Sequence, residues 1–156
     1  MSAVTLRWLL SALLLCALPM AGAGASFGRD WKSAGLTNPV PNTIEGRWEG
    51  RWVSSSDSHR DKLRCLITKQ EDGTYLARFQ SYYFRIFTFS HDVSLKVVPG
   101  PGGTNQFSGS SDLGRMAGGV FTYNGHATAT NFFSHYISKK YRGVFEMTRP
   151  APPPPK

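Results

Sequence analysis

Three observations predict an all-β chain: a single antiparallel up-and-down meander of about eight strands, closed into a small barrel. From residue 44 to residue 150, apolar side chains recur at every second position, the period of a strand rather than the 3.6 of a helix. Turn signals separate these runs at intervals of roughly 8–14 residues, too short for crossover helices. A flat sheet of eight strands would leave one apolar face and two edges in water, and closure removes both.

The elements follow in chain order. Residues 1–25 read as a secretory signal peptide, with Arg7 in a short n-region, an 11-residue apolar stretch Trp8–Leu18, Pro19, and small residues from Ala21 to Ser26. Cleavage after Ala25, or alternatively after Ala23, predicts an exported, periplasmic or extracellular protein. Leu13-Leu14-Leu15-Cys16 raises lipoprotein anchoring at Cys16 as a minor alternative, although Leu15 is large for the position before a lipidated cysteine. Residues 26–43 read as an extended, Gly- and Pro-containing leader that folds over the domain through Trp31, and no segment shows helical periodicity beyond a turn.

The barrel domain spans 44–150. Gly46, Trp48, Gly50 and Trp52 share one face of the first strand, and Leu63, Cys65 and Ile67 share one face of the second. Glu71-Asp72-Gly73 marks a hairpin into a strand with Tyr75, Ala77 and Phe79 on one side. Phe87, Phe89, His91, Val93, Leu95 and Val97 alternate with Thr88, Ser90, Asp92, Ser94 and Lys96, but the hairpin before them, between Tyr83 and Ile86, carries no turn signature. After the loop Pro99–Gly103 come a weaker strand (Phe107, Gly109, Ser111, Leu113), then Phe121, Tyr123, Gly125 and Ala127, an aromatic run from Phe132 to Tyr141, and Gly143, Phe145, Met147 and Arg149. Glycines inside strands (Gly50, Gly109, Gly125) suit the bends of a small barrel. Residues 151–156 form a Pro-rich tail that cannot join a sheet.

Composition sets outer limits. The chain has 156 residues, a net charge of +8 and 13% aromatics, which allows one domain and excludes a disordered chain. No apolar run reaches the roughly 18 residues of a membrane-spanning helix. Removing residues 1–25 leaves 131 residues at +7 with Cys65 as the single cysteine, so no internal disulfide forms and the core alone must hold the fold. Cys65 reads as a small buried hydrophobe.

Gly46-x-Trp48 on the first strand, with Arg149 on the inward face of the last, resembles the signature of calycins, the lipocalin and avidin-like barrels. That resemblance implies a first-strand Trp near the closed end with a basic residue lying across it, a fold-stabilising role. More broadly, residues 44–150 resemble a family of small exported bacterial proteins of planctomycete type. The residues that carry this are Gly46–Trp52, Asp112-Leu113-Gly114, Ala117-Gly118-Gly119, Tyr123–His126, Phe133–Ser138 and Gly143–Arg149. It implies no activity.

A search for chemistry leaves little. His59, His91, His126 and His135 form no His-x-His or His-x-x-x-His pair and no zinc spacing with cysteine, so no metal is expected. Gly109-Ser110-Ser111-Asp112-Leu113 lacks the second glycine of a nucleophile elbow, the acidic residues are scattered, and no Gly-rich loop precedes a helix. The expectation is therefore a non-enzymatic protein without catalytic residues or cofactor; a hydrolase using His91 or His126 is the alternative.

His91 is the most informative polar residue. It reads either as a core histidine satisfied by a Tyr or Ser, or as the polar anchor of a ligand cavity lined by Phe79, Phe89, Tyr123 and Tyr136. An eight-stranded barrel has room for side chains alone or for one small ligand. Two partners follow as expectations: a small apolar or aromatic ligand, or an anionic envelope polysaccharide or lipid met by the basic exterior. Export and the scatter of Arg47, Arg51, Arg64, Arg78 and Lys96 argue against nucleic acid.

Overall fold

The structure is a computed structural model that describes residues 21–151, with side chains from residue 26 onward. The signal-peptide n-region and apolar stretch, Cys16 and the Pro-rich tail from residue 152 lie outside the described residues. Eight antiparallel strands close into one barrel in sequence order, with β8 returning to β1. They are β1 (Gly46–Ser54), β2 (Arg60–Lys69), β3 (Tyr75–Tyr83), β4 (Phe87–Pro99), β5 (Asn105–Asp112), β6 (Val120–Ala127), β7 (Asn131–Ile137) and β8 (Arg142–Thr148). Closure runs through Glu49↔Thr148 to Ser54↔Gly143. The about-eight-strand meander expected from the alternation is the architecture found.

Register explains why the alternation works. Trp48 pairs with Cys65, Cys65 with Phe79, Phe79 with His91, Gly109 with Tyr123, Tyr123 with Tyr136, and Trp52 with Phe145. Every one of these positions is inward, because paired residues share a face of the sheet. One end of the barrel is filled. Trp48, Ile67, Leu95, Phe107, Phe132 and Met147 are buried there, with Phe132 stacked on Phe107 at 4.6 Å and tilted against Trp48 at 5.6 Å between ring centroids. Each such side chain contributes about 1.5–3 kcal/mol by leaving water. Cys65 is fully buried in this core, and burial raises its thiol pKa well above the ordinary value, with the Asp92 charge adding to it.

The filled end is closed by Arg149. Its guanidinium carbon lies 3.8 Å from the centroid of the Trp48 ring, and it donates to the carbonyls of Thr43, Glu45 and Arg47. Trp48 Nε1 in turn donates to the Ile44 carbonyl at 2.8 Å. Gly46 has φ +100, and a Cβ there would press on the Arg149 guanidinium, so the glycine and the arginine form one device. Burial lowers the Arg149 pKa to about 10, which leaves it a cation at neutral pH.

The leader differs from expectation. Ala21–Ala34 is a helix, α1, rather than an extended strap, and no helix among the described residues is long and apolar enough to cross a membrane. Phe27 and Trp31, one turn apart, are buried against Leu66, which faces outward on β2. The Trp31 ring sits 5.4 Å from the Arg47 and 5.3 Å from the Arg64 guanidinium carbon, and Arg78 pairs with Asp30 at 2.7 Å. An apolar Leu66 in a row of outward arginines gives this short helix the tertiary partner it needs. The contacts of this helix with the barrel begin at Ser26, whose Oγ accepts from Arg78 at 3.2 Å, so cleavage after Ala25 would spare them.

The wall is incomplete at one seam. β3 and β4 pair as far as Tyr83↔Phe87, but β4 and β5 pair only from Ser94↔Ser110 onward. Above that point the strands part, and a single side-chain bond crosses the gap, Ser111 Oγ donating to the Asp92 carbonyl at 2.9 Å. His91 stands at this gap.

Candidate functional site

The open end of the barrel is ringed by the β1–β2, β3–β4, β5–β6 and β7–β8 connections. It encloses a cavity of about 450 Å³. Inward positions of the strands build its walls: Trp52 from β1, Phe89 from β4, Phe121 and Tyr123 from β6, Tyr136 from β7 and Phe145 from β8. Their rings contact one another, Tyr136–Phe145 at 5.0 Å and Tyr123–Phe145 at 6.0 Å between centroids. Gly143 lets the wall close, since a Cβ there would overlap the Val53 carbonyl and the Tyr136 hydroxyl, which donates to that carbonyl at 3.3 Å.

Of the five residues predicted to line a cavity, His91, Phe89, Tyr123 and Tyr136 do so together. Phe79 does not. It is 2% exposed and lies beneath, stacked on His91 at 5.3 Å and against Phe145 at 5.1 Å, where it forms packed floor. Alternation gives the side a residue faces but not its height in the barrel. Phe87 shows the same limit from the other end: it shares the inward parity of Phe89 yet overshoots the rim and is 65% exposed.

Asp57 and His59 line the mouth of the cavity, and deeper in it burial keeps His91, Tyr123 and Tyr136 neutral. The Tyr123 hydroxyl is 3.2 Å from His91 Nε2, while Nδ1 of the same ring is buried with no hydrogen-bond partner. Burial lowers the His91 pKa to about 4, so the ring is uncharged at neutral pH. Burial likewise raises Tyr136 to about 12 and Tyr123 further still. One ring nitrogen is thus occupied by Tyr123 and the other is unpaired, an arrangement that a bound polar group would complete. Phe89, His91 and Leu113 also border a second space of about 480 Å³ outside the wall, at the seam beside Phe27 and Arg78.

The sequence reading passed over His59 and the β3–β4 turn. His59 sits at the mouth, its ring 5.0 Å from Trp52 and 4.9 Å from Phe84, with Nε2 buried and unpartnered. Asp57 lies beside it, its pKa lowered first by a hydrogen bond from Ser54 and then by the His59 backbone N–H. Both residues lie in a turn, where no periodicity marks them. Trp52, Phe121 and Phe145 were legible as inward positions.

The alternative pair His91 and His126 is not brought together. His91 faces the interior, whereas His126 is exposed on the outside among Lys96, Gln106 and His135. Among the described residues no histidine forms an ion pair with a carboxylate, and no group of three His, Cys, Asp or Glu converges as metal ligands would. Comparison of the chain with protein-family models, curated proteins and solved structures finds no match.

Proposed function

We propose that this protein is a non-enzymatic, exported barrel that holds one small apolar or aromatic molecule bearing a single hydrogen-bonding group. The observation that carries the reading is the cavity of about 450 Å³, walled mostly by aromatic rings, whose lining includes His91 with its buried, unpaired Nδ1. Ligand sites are concave and mostly apolar, with a few placed polar groups, and this volume lies within their usual range of about 300–1,000 Å³. A charged ligand is disfavoured beside His91, Tyr123 and Tyr136, because burial holds these groups neutral and an unpaired ion loses its hydration on entry. The Trp48–Arg149 contact and the meander support a calycin-like relationship, and the residues before Ser26 support export.

The test is direct. Native mass spectrometry of the protein purified from its own host should show a co-purifying mass, and the neutral probe N-phenyl-1-naphthylamine should gain fluorescence on titration. Ser81 is buried, lines the cavity and pairs with Phe89 across the sheet. Ser81→Phe fills the space and should weaken the probe at least about tenfold, the equivalent of roughly 1.4 kcal/mol. Unchanged probe affinity in a folded Ser81→Phe protein would remove the reading.

A further inference from the structure

The rim of the open end presents more apolar surface than the cavity beneath it uses. Eight of the eleven exposed large apolar side chains sit at this one end, although the filled end carries three of the seven connections and both segments flanking the barrel. Phe84, Ile86 and Phe87 are 69%, 77% and 65% exposed, and Met116 projects fully into solvent. Contiguous exposed apolar surface of this kind marks an interaction site rather than ordinary scatter. Phe84, Ala117 and Tyr141 border the same cavity, which places the three loops that carry these residues around one mouth.

Cations are interleaved with the apolar tips. Arg85 lies between Phe84 and Ile86, Arg115 precedes Met116, and Lys139 and Lys140 precede Tyr141; all four are exposed. None of them enters an ion pair among the described residues, whereas the outward strand arginines Arg51, Arg64 and Arg78 pair with Glu146, Glu49 and Asp30. Four cations without an ion-pair partner thus stand among the apolar tips.

The β3–β4 turn supplies an independent observation. Ile86 N–H donates to the Tyr83 carbonyl at 3.1 Å, and both central residues have positive φ, Phe84 at 52° and Arg85 at 61°. This tight hairpin turn normally takes Asn-Gly, because a bulky side chain is strained there. Strain retained at an exposed tip points to what the tip presents.

The geometry points to an anionic lipid bilayer as the partner of this rim: Phe84, Ile86, Phe87 and Met116 enter the interface, and Arg85, Arg115, Lys139 and Lys140 meet the head-group phosphates. Apolar tips flanked by Lys and Arg are the composition that binds the interfacial region of negatively charged membranes. A hydrated polysaccharide would satisfy the cations but leave the apolar tips in water. Docked in this way, the mouth opens onto lipid, so an apolar ligand would exchange without crossing water. That consequence rests on the cavity reading; the docking does not.

Co-sedimentation of the full chain with vesicles of phosphatidylcholine containing about one-third phosphatidylglycerol tests the surface. Every variant keeps residues 1–20, so differences report on the rim. Phe84→Ser/Ile86→Ser/Met116→Ser should lower vesicle affinity at least about tenfold. Lys139→Gln/Lys140→Gln should lower it about 10- to 30-fold on these vesicles and little on pure phosphatidylcholine. Leu36→Ser/Val40→Ser/Val98→Ser, placed away from the rim, should leave it unchanged. Protection of Cys65 from alkylation verifies that each variant is folded. Equal affinity of the triple rim variant and the parent, an equal loss in the control, or retention on heparin without retention on vesicles would overturn the assignment. Ser81→Phe should leave vesicle affinity intact, which separates failure of the surface from failure of the cavity.

Discussion

The Tyr123 hydroxyl lies 3.2 Å from His91 Nε2, at the level where packed core gives way to open cavity. Below this pair Phe79 stacks on the imidazole, and above it the barrel is hollow. The pair is therefore a satisfied polar contact at the base of the space in which a ligand would sit, and it gives the site a measurable signature.

Burial holds His91 neutral, with a pKa of about 4 against an ordinary 6.5. The unfolded chain takes up a proton between these values and the native state does not. Stability should therefore fall as pH drops from about 6.5 to about 4 and level off below, by up to about 3 kcal/mol from this group. Urea midpoints measured across that window in the parent and in His91→Phe should diverge, with the variant flatter. Parallel curves would show that His91 titrates normally.

Arg149 joins the two ends of the chain at the filled end of the barrel. Arg149→Lys keeps the charge but loses the planar fork that serves the Thr43, Glu45 and Arg47 carbonyls while stacking on Trp48. Partly buried carbonyls left without donors should cost about 2–4 kcal/mol in urea unfolding. Affinity for N-phenyl-1-naphthylamine should be retained, because the cavity lies at the opposite end.

Cys65 should resist alkylation in the native protein. Its thiol is fully buried and its pKa is raised by that burial, so both access and thiolate are suppressed. Iodoacetamide labelling read from the Cys65 peptide should be at least about a thousandfold slower than in urea, tracking global opening. Fast labelling without denaturant would mean that the barrel opens locally along β2.

Gly143 is intolerant for a geometric reason. Alanine there would place a methyl group against the Val53 carbonyl across the β1–β8 closure and against the Tyr136 hydroxyl. Gly143→Ala should destabilise by about 1–3 kcal/mol through overpacking, read as a lowered melting temperature. Gly73→Ala, whose Cβ would meet nothing within 4 Å, should lose less, through its positive φ alone.

Most of the architecture was legible because a barrel strand has only two faces. Trp48, Cys65, Phe79, Tyr123 and Phe145 were assigned inward from parity, and the register of all eight ladders keeps them there. Two local features were not legible. The Phe84-Arg85 turn lacks the Asn-Gly that would announce it, and the helix Ala21–Ala34 lacks a periodic run long enough to stand out. The helix depends on Leu66, an apolar residue at an outward position, and on arginines from two strands, a partnership that no local window contains.

Period-two patterning and short turns dictate the barrel, its eight strands and the inward set of side chains, since they admit few other ways of burying that apolar face. Where the inward rings meet, and where they do not, is set by packing in three dimensions. Height along the axis depends on strand tilt and stagger, which a pattern of alternation does not encode. Phe79 consequently became floor, Phe87 rim and His91 the boundary between a filled half and a hollow one.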